Sequence, residues 1–186
     1  MEISWDKVGH DLADIRRRTE QLVDGLSPEQ LTRRPDPGKW SIAECLIHLN
    51  LTAAAIQKLI DSAIQQGRTN NIVGPGPFKA GALGGLFIWI AEPPPKFKIK
   101  APAKILPPAN IGDPSLVIAD FFRLQDEWAR LVKEADGLDL NKIKAKTGFA
   151  GMPPMRLGAT IPWMMAHQRR HVLQAEEVKQ KVADLA

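Results

Sequence analysis

The sequence predicts an all-α fold: a four-helix bundle with a long crossover connection between its second and third helices. Four long segments place apolar residues three and four positions apart, the spacing of one face of an α-helix. Runs rich in proline and glycine separate them, and no stretch alternates apolar and polar residues as a half-buried strand would. Since the chain has 186 residues, 44% of them apolar, it can bury one core. We expect a single domain over residues 1–186.

The first helix is predicted from Ser4 to Leu26. Gly25 and Ser27-Pro28 end it, because proline disfavours helix in the residue before it and has no amide hydrogen. Its core stripe alternates steps of three and four: Trp5, Val8, Leu12, Ile15, Leu22 and Leu26, with Thr19 in the remaining place.

The second helix is predicted from Ser41 to Gln66. Ser41 and Glu44 form a capping-box pattern, in which each side chain satisfies an unpaired amide of the first turn. The helical pattern fades at Gly67. Its buried face is predicted to comprise Leu46, Leu49, Ala53, Ile56, Leu59 and Ile60.

Residues 67–113 are predicted to form the crossover connection. They hold eight of the fifteen prolines and seven of the fourteen glycines and show no sustained period. Such a long connection is uncommon in a compact domain unless it has a task, here carrying the chain from one end of the bundle to the other. For Leu86 to Ile90 two interpretations stay open, a short helix or a segment that covers the core.

The third helix is predicted to begin after Asp113, a plausible capping residue, and to end before Gly137. Pro114 suits its first position, where a missing amide hydrogen costs little.

The fourth helix is predicted to begin near Thr160, after a loop from Lys142 to Gly158. Pro162 is placed in its first turn, and the helical pattern continues through Val178.

Several protein classes are excluded by composition. Cys45 is the only cysteine, so no intramolecular disulfide can form, and the charged N-terminus does not look like a signal peptide. The longest apolar run, 86–91, is too short to cross a bilayer. Lysine and arginine exceed acidic residues by four. Most of these scattered basic residues, which include Arg169-Arg170, are interpreted as solvated faces. We expect a cytoplasmic protein that binds neither membrane nor nucleic acid.

Three of the four histidines form a candidate metal site. His167 and His171 are four residues apart, so their imidazoles lie on one helical face and can bind one ion. The pair alone is a weak signal. His48 lies next to the core position Leu49 on another helix and would supply a third ligand; the alternative is a core histidine with its hydrogen bonds satisfied. His10 is expected to be exposed.

Neighbouring residues have alternative roles. Cys45 precedes His48 by three residues and would be either a fourth, thiolate ligand or, as we favour, a small buried apolar residue. Glu44 would be either a proton carrier or, as favoured, only a helix cap. Gln174 is a candidate hydrogen-bond partner of a ligand imidazole or of a metal-bound water. Trp163 and Met164 would either wall the site or, as favoured, belong to the core.

Two segments resemble signatures of the DinB-like superfamily. Residues 37–49, PGKWSIAECLIHL, are similar to its second-helix signature, in which a tryptophan opens the helix and a histidine follows two turns later. Residues 155–174 resemble its fourth-helix signature. The resemblance implies a four-helix bundle with antiparallel first and second helices and a divalent ion, commonly zinc or nickel, bound by His48, His167 and His171.

The resemblance also implies a function. Relatives include thiol S-transferases, a thiol-dependent isomerase and metal-dependent hydrolases, and many are homodimers. We therefore expect a metal-dependent enzyme of the thiol S-transferase or hydrolase type that acts on a small molecule, with a low-molecular-weight thiol as a candidate partner. The alternative is a non-catalytic metal- or ligand-binding stress-response protein.

Overall fold

The chain is mostly helical, which confirms the all-α class. A computed structural model describes residues 2–97, 100–148 and 152–183. The helices are α1 Trp5–Val23, α2 Pro28–Thr32, α3 Ile42–Thr69, α4 Gly81–Ala91, α5 Pro114–Glu134 and α6 Leu157–Ala183, with a short 3-10 helix at Ala103–Ile105. The strands are β1 Glu2–Ile3, β2 Phe78–Lys79, β3 Lys144–Ala145 and β4 Met155–Arg156, paired antiparallel as β1 with β2 and β3 with β4.

Four long helices enclose the core. Helix α3 packs against α5 and α6, and α1 packs against the same two helices. The predicted stripe of α1 is buried from Val8 to Leu22 as expected. Large side chains that are fully buried include Ile15, Leu46, Ile56, Ile60, Phe121, Trp128, Leu131 and Leu157.

Helix α1 ends earlier than predicted. Asp24 caps it, with its amide donating to the Glu20 carbonyl, and Gly25 turns the chain with a φ of +71°. A second capping box at Ser27 and Gln30 then starts the short helix α2, which the sequence analysis did not predict.

Helix α3 begins as predicted and ends one turn later. The Ser41 hydroxyl accepts from the Glu44 amide at 3.2 Å, and the Glu44 carboxylate accepts from the Ser41 amide at 2.8 Å. Gly67 does not end the helix but lies buried in its last turn, where an added Cβ would overlap Ile143 Cδ1. The helix ends at Thr69, before Asn71 with its φ of 50°.

The Glu44 side chain has a second partner besides Ser41, its partner in the capping box. Its buried carboxylate also forms a two-pronged ion pair with Arg34, with Nε at 2.9 Å from Oε2. Burial by itself raises the pKa of this carboxyl. The bonds from Arg34 and from the Ser41 amide outweigh burial, so that the pKa of Glu44 lies below its ordinary value.

We predict that Glu44→Ala lowers the free energy of unfolding by about 1–2 kcal/mol, because it removes a cap and leaves the Ser41 amide unpaired. Since the folded state lowers the pKa of Glu44, its ionised form contributes stability above the ordinary pKa of 4.5. That contribution is lost as pH falls below this value, so the difference between variant and wild type should shrink there. Urea unfolding at pH 7 and pH 3.5 measures both effects.

Glu29→Ala is the matched control, because Glu29 is also a first-turn glutamate but is exposed. We expect it to change stability by less than about 0.5 kcal/mol. Equal effects of the two variants would contradict the structural role of the Glu44 carboxylate.

The 67–113 connection contains helix α4, which is longer than the segment considered in the sequence analysis. It runs over Gly81–Ala91, packs against α6 and buries Gly84, Ile88 and Ala91. Strand β2 precedes it and pairs with the N-terminal strand β1. The open alternatives are therefore both partly right, because a helix forms and it also covers the core.

Helix α6 begins before Thr160, so the predicted start is wrong by one turn. The amides of Leu157 and Gly158 donate to the carbonyls of Ile143 and Leu140, at 2.9 and 3.1 Å. These partners lie in the segment around β3, which was predicted to be a plain loop. Because the first amides are satisfied by that segment, the helix can start early, and Pro162 lies in its second turn rather than in its first.

In the part of the chain that the structure describes, no helix is both long enough and apolar enough to span a membrane.

Candidate metal centre

The structure brings His48, His167 and His171 together. One ring nitrogen from each lies within 4.8 Å of the others. The ring centroids are 5.2 Å apart for His48 and His167, 4.5 Å for His48 and His171, and 4.7 Å for His167 and His171. Such a group could hold one metal ion.

Two helices position these rings. His167 and His171 are one turn apart on α6, so they share a face of that helix. His48 lies in the second turn of α3, is only 2% exposed and meets them across the contact between α3 and α6.

Hydrogen bonds fix which nitrogen of two rings faces the centre. Nδ1 of His48 lies 2.7 Å from the Ile105 carbonyl oxygen, to which only a protonated nitrogen can donate. Nδ1 of His171 lies 3.0 Å from Oε1 of Gln174 and donates to it in the same way. In both rings Nε2 is therefore unprotonated, as a metal ligand requires.

His167 is the ring whose hydrogen bonds are incomplete. Its Nε2 is 3.2 Å from Nε2 of His48, and its Nδ1 is buried without a hydrogen-bond partner among the described residues. In a tetrahedral site with bonds of about 2.0–2.1 Å, two nitrogen ligands are roughly 3.3 Å apart. The spacing of this pair and the imidazole donor set therefore fit a zinc-like ion.

The three imidazoles are neutral near pH 7. Burial lowers the pKa of His48 and lowers that of His171 to about 3. Burial places the pKa of His167 well below its usual value. Repulsion from positive charge on His171, His48 and Arg170 lowers this pKa further. Metal binding therefore needs no deprotonation of these side chains.

A cavity of about 330 Å³ opens beside the three histidines. Its wall is mostly apolar and aromatic, and the Trp40 ring lies 5.0 Å from His48 and 5.8 Å from His171. The residues that line it besides the histidines are Trp40, Thr52, Phe87, Ile90, Ala91, Lys100, Ala101, Pro102, Ile105, Met152, Trp163 and Arg170.

Comparison with known families identifies the chain. The sequence profile of the DinB superfamily matches residues 11–175. The chain belongs to the DinB superfamily. It is also similar to the uncharacterized protein YuaE of Bacillus subtilis (strain 168), with 22% identity over 175 residues that cover 91% of this chain and 95% of YuaE. No solved structure matches it.

Two side chains of this DinB-superfamily protein that were considered for the site lie outside it. Cys45 is fully buried in a second apolar cluster with Leu22, Ile42 and Val178, and burial raises the pKa of its thiol. It is therefore a core residue, as favoured. Glu44 caps α3 and pairs with Arg34, so the favoured capping role is confirmed.

The role predicted for Gln174 agrees with the structure, and Trp163 combines its two alternatives, since it also packs against the core as favoured. Gln174 bonds the His171 ring, and Trp163 lines the cavity. His10 is exposed, as expected.

Sequence reasoning missed two contributions to the site, from the Ile105 carbonyl and from Arg170. The Ile105 carbonyl gives no side-chain signal, so its bond to His48 could not be read from the sequence. Most basic residues were interpreted as solvated faces, and Arg169 and Arg170 are exceptions to that interpretation. Arg169 pairs with Asp11 at 2.7 Å and with Glu92, and Arg170 donates to two backbone carbonyls of the connection.

We predict that Gln174→Leu weakens divalent-ion binding by at least about tenfold, because partners that orient a ligand imidazole typically contribute 10–100-fold. Competition with a chromophoric chelator would measure this affinity. Gln180→Leu is the control, since Gln180 is exposed further along α6. If Gln180→Leu weakened binding as much, the bond to His171 would not be the cause.

Proposed function

We propose that this protein is a metal-dependent enzyme in which His48, His167 and His171 hold a divalent ion, with zinc or nickel as the expected metals. The reaction proposed is transfer to a thiol, with hydrolysis as the second reaction type. The observation that carries the proposal is the combination of three converging imidazoles with a 330 Å³ cavity beside them.

The number of ligands supports an enzyme over a purely structural site. Structural zinc sites have four protein ligands, whereas catalytic sites have three and keep a position for water or substrate. Among the described residues, the group of candidate ligands contains only the three histidines. A divalent ion bound by three neutral imidazoles lowers the pKa of a coordinated thiol or water.

The residues around the cavity favour a thiol over water as the nucleophile. Hydrolysis commonly uses a carboxylate as general base, and no carboxylate lines the cavity within the described residues. Glu44, the nearest candidate in the sequence, is occupied by Arg34 and Ser41. A thiol coordinated by a divalent ion would lose its proton without a separate base.

The other residues of the site orient the histidine rings and shield the cavity from water. The Ile105 carbonyl and Gln174 hold the rings of His48 and His171 with Nε2 towards the centre. The aromatic side chains of Trp40, Phe87 and Trp163 line the cavity and limit the access of water to the reacting groups.

Two assays test the proposal together. Elemental analysis of protein purified without an affinity tag should find close to one zinc or nickel ion per chain. A panel of low-molecular-weight thiols with electrophilic acceptors should then give turnover that stops on chelation and returns with added metal. The proposal is wrong if loaded protein transfers no thiol and hydrolyses no ester or amide of a second panel.

The alternative proposal is a non-catalytic, metal-stabilised binding protein. It is favoured by the position of the site, since an ion there would join α3 to α6, while the Ile105 carbonyl ties the connection to the same centre. Thermal unfolding with and without chelator separates the two proposals. A large loss of stability on chelation without any turnover would favour the binding protein.

The proposal includes three further predictions made from the sequence. They are a cytoplasmic location, a small-molecule substrate without nucleic-acid or membrane binding, and a homodimer. Sedimentation velocity at micromolar concentration would test the last of these.

A further inference from the structure

The cavity beside the histidines has an uneven distribution of charge. Lys100 and Arg170 are the two charged side chains among its described lining residues, and both are cations. Several other lining side chains from α4 and α6, such as Phe87, Ile90 and Trp163, are apolar. A ligand that fills this space meets a largely apolar wall that also carries these two cations.

Arg170 is half-buried and has no carboxylate partner among the residues that the structure describes. Its Nη1 donates to the Ile90 carbonyl at 3.0 Å and its Nη2 to the Phe97 carbonyl at 2.8 Å. These bonds use two of the five N–H donors of a guanidinium. No ion pair joins it to an acidic residue within the described part of the chain.

The neighbouring arginine shows the contrast. Arg169, on the same helix, pairs with both Asp11 and Glu92. A half-buried cation normally has such a partner, because burial of an unpaired charge is costly. Arg170 lacks one and instead borders a cavity.

We propose that this cavity binds an organic anion, with an apolar body against the aromatic wall and a carboxylate or similar anionic group on Arg170, assisted by Lys100. The inference deepens the proposed function by naming its substrate class. Arg170 is then a specificity-determining residue: it pairs with the anion through donors that the two backbone carbonyls do not use. A neutral ligand of the same shape would leave this guanidinium unpaired.

A matched pair of probes tests this proposal without requiring turnover. The probes are 4-phenylbutyrate and 4-phenyl-1-butanol, which share an apolar body and differ in charge. Calorimetric titrations use the full-length protein, both loaded with zinc and after chelation. We expect the anion to bind at least about tenfold tighter than the alcohol in both forms, as for a hydrogen bond between charged groups.

Variants then assign the preference to its residue. Arg170→Gln should remove most of the preference for the anion while the affinity for the alcohol changes by less than about twofold, and Arg170→Lys should restore part of it. Lys100→Gln should weaken binding of the anion a few-fold, in keeping with an exposed charge. Lys104→Gln is its control, because Lys104 is exposed on the same segment and does not line the cavity.

Three results would overturn the proposal. The first is equal affinity of the wild type for both probes. The second is an equal loss for both probes in Arg170→Gln, which would mean that Arg170 only fastens the connection through Ile90 and Phe97. The third is a preference that survives Arg170→Gln in loaded protein and vanishes on chelation, since the anion would then bind the ion. Failure of the proposed function, an absence of bound metal or turnover, leaves the titrations of chelated protein interpretable.

Discussion

His48→Ala should weaken divalent-ion binding by more than about a hundredfold, beyond the 10–100-fold that loss of a partner of a ligand typically causes. The reason is that the variant removes a ligand itself. His167 and His171 alone are two donors on one face of α6, and His48 is the donor that reaches them from α3, with its Nε2 3.2 Å from that of His167. Competition with a chromophoric chelator, using zinc and nickel in turn, measures the change.

Cys45→Ala is the control for this variant. Cys45 lies one turn before His48 on the same helix, but its side chain is buried in the cluster with Leu22 and Val178. We expect it to lower stability somewhat and to leave metal affinity within about threefold of wild type, since it removes no ligand. Unchanged ion affinity in folded His48→Ala would contradict the metal centre. If Cys45→Ala lost as much ion affinity as His48→Ala, the Cys45 thiol would have to be a metal ligand.

Gly84→Ala should lower the free energy of unfolding by about 2 kcal/mol, as overpacking of a rigid contact does. A Cβ on Gly84 would lie 2.6 Å from the Cβ of Ala159, so α4 and α6 would have to separate. Because α4 contributes Phe87, Ile90 and Ala91 to the cavity wall, the affinity for 4-phenyl-1-butanol should also fall. Urea unfolding and calorimetric titration measure the two effects.

The adjacent glycine provides a matched variant. A Cβ on Gly85 meets nothing within 4 Å, so Gly85→Ala should gain about 0.5–1 kcal/mol from the better helix propensity of alanine. Both substitutions change the same residue type in the same helix, so their difference isolates the contact with Ala159. If the two variants had equal stability, the close approach of α4 to α6 would be wrong.

Much of the fold could be predicted because its signals are local. The Ser41 and Glu44 cap placed the start of α3 within one residue, and Asp113 with Pro114 placed the start of α5. These signals work because a cap and the amides it satisfies lie within four residues of each other. The start of α6 failed for the opposite reason, since the carbonyls of Leu140 and Ile143 that satisfy its first amides are more than ten residues away.

The candidate site divides in the same way. The sequence by itself determined that His167 and His171 share a helical face, because the pitch of a helix sets that relation, and the resemblance added His48. Only the tertiary structure decided that His48 reaches them, that the Ile105 carbonyl orients its ring, and that Arg170 borders the cavity. Those relations depend on how separate helices and the long connection pack together, and no local residue pattern encodes that packing.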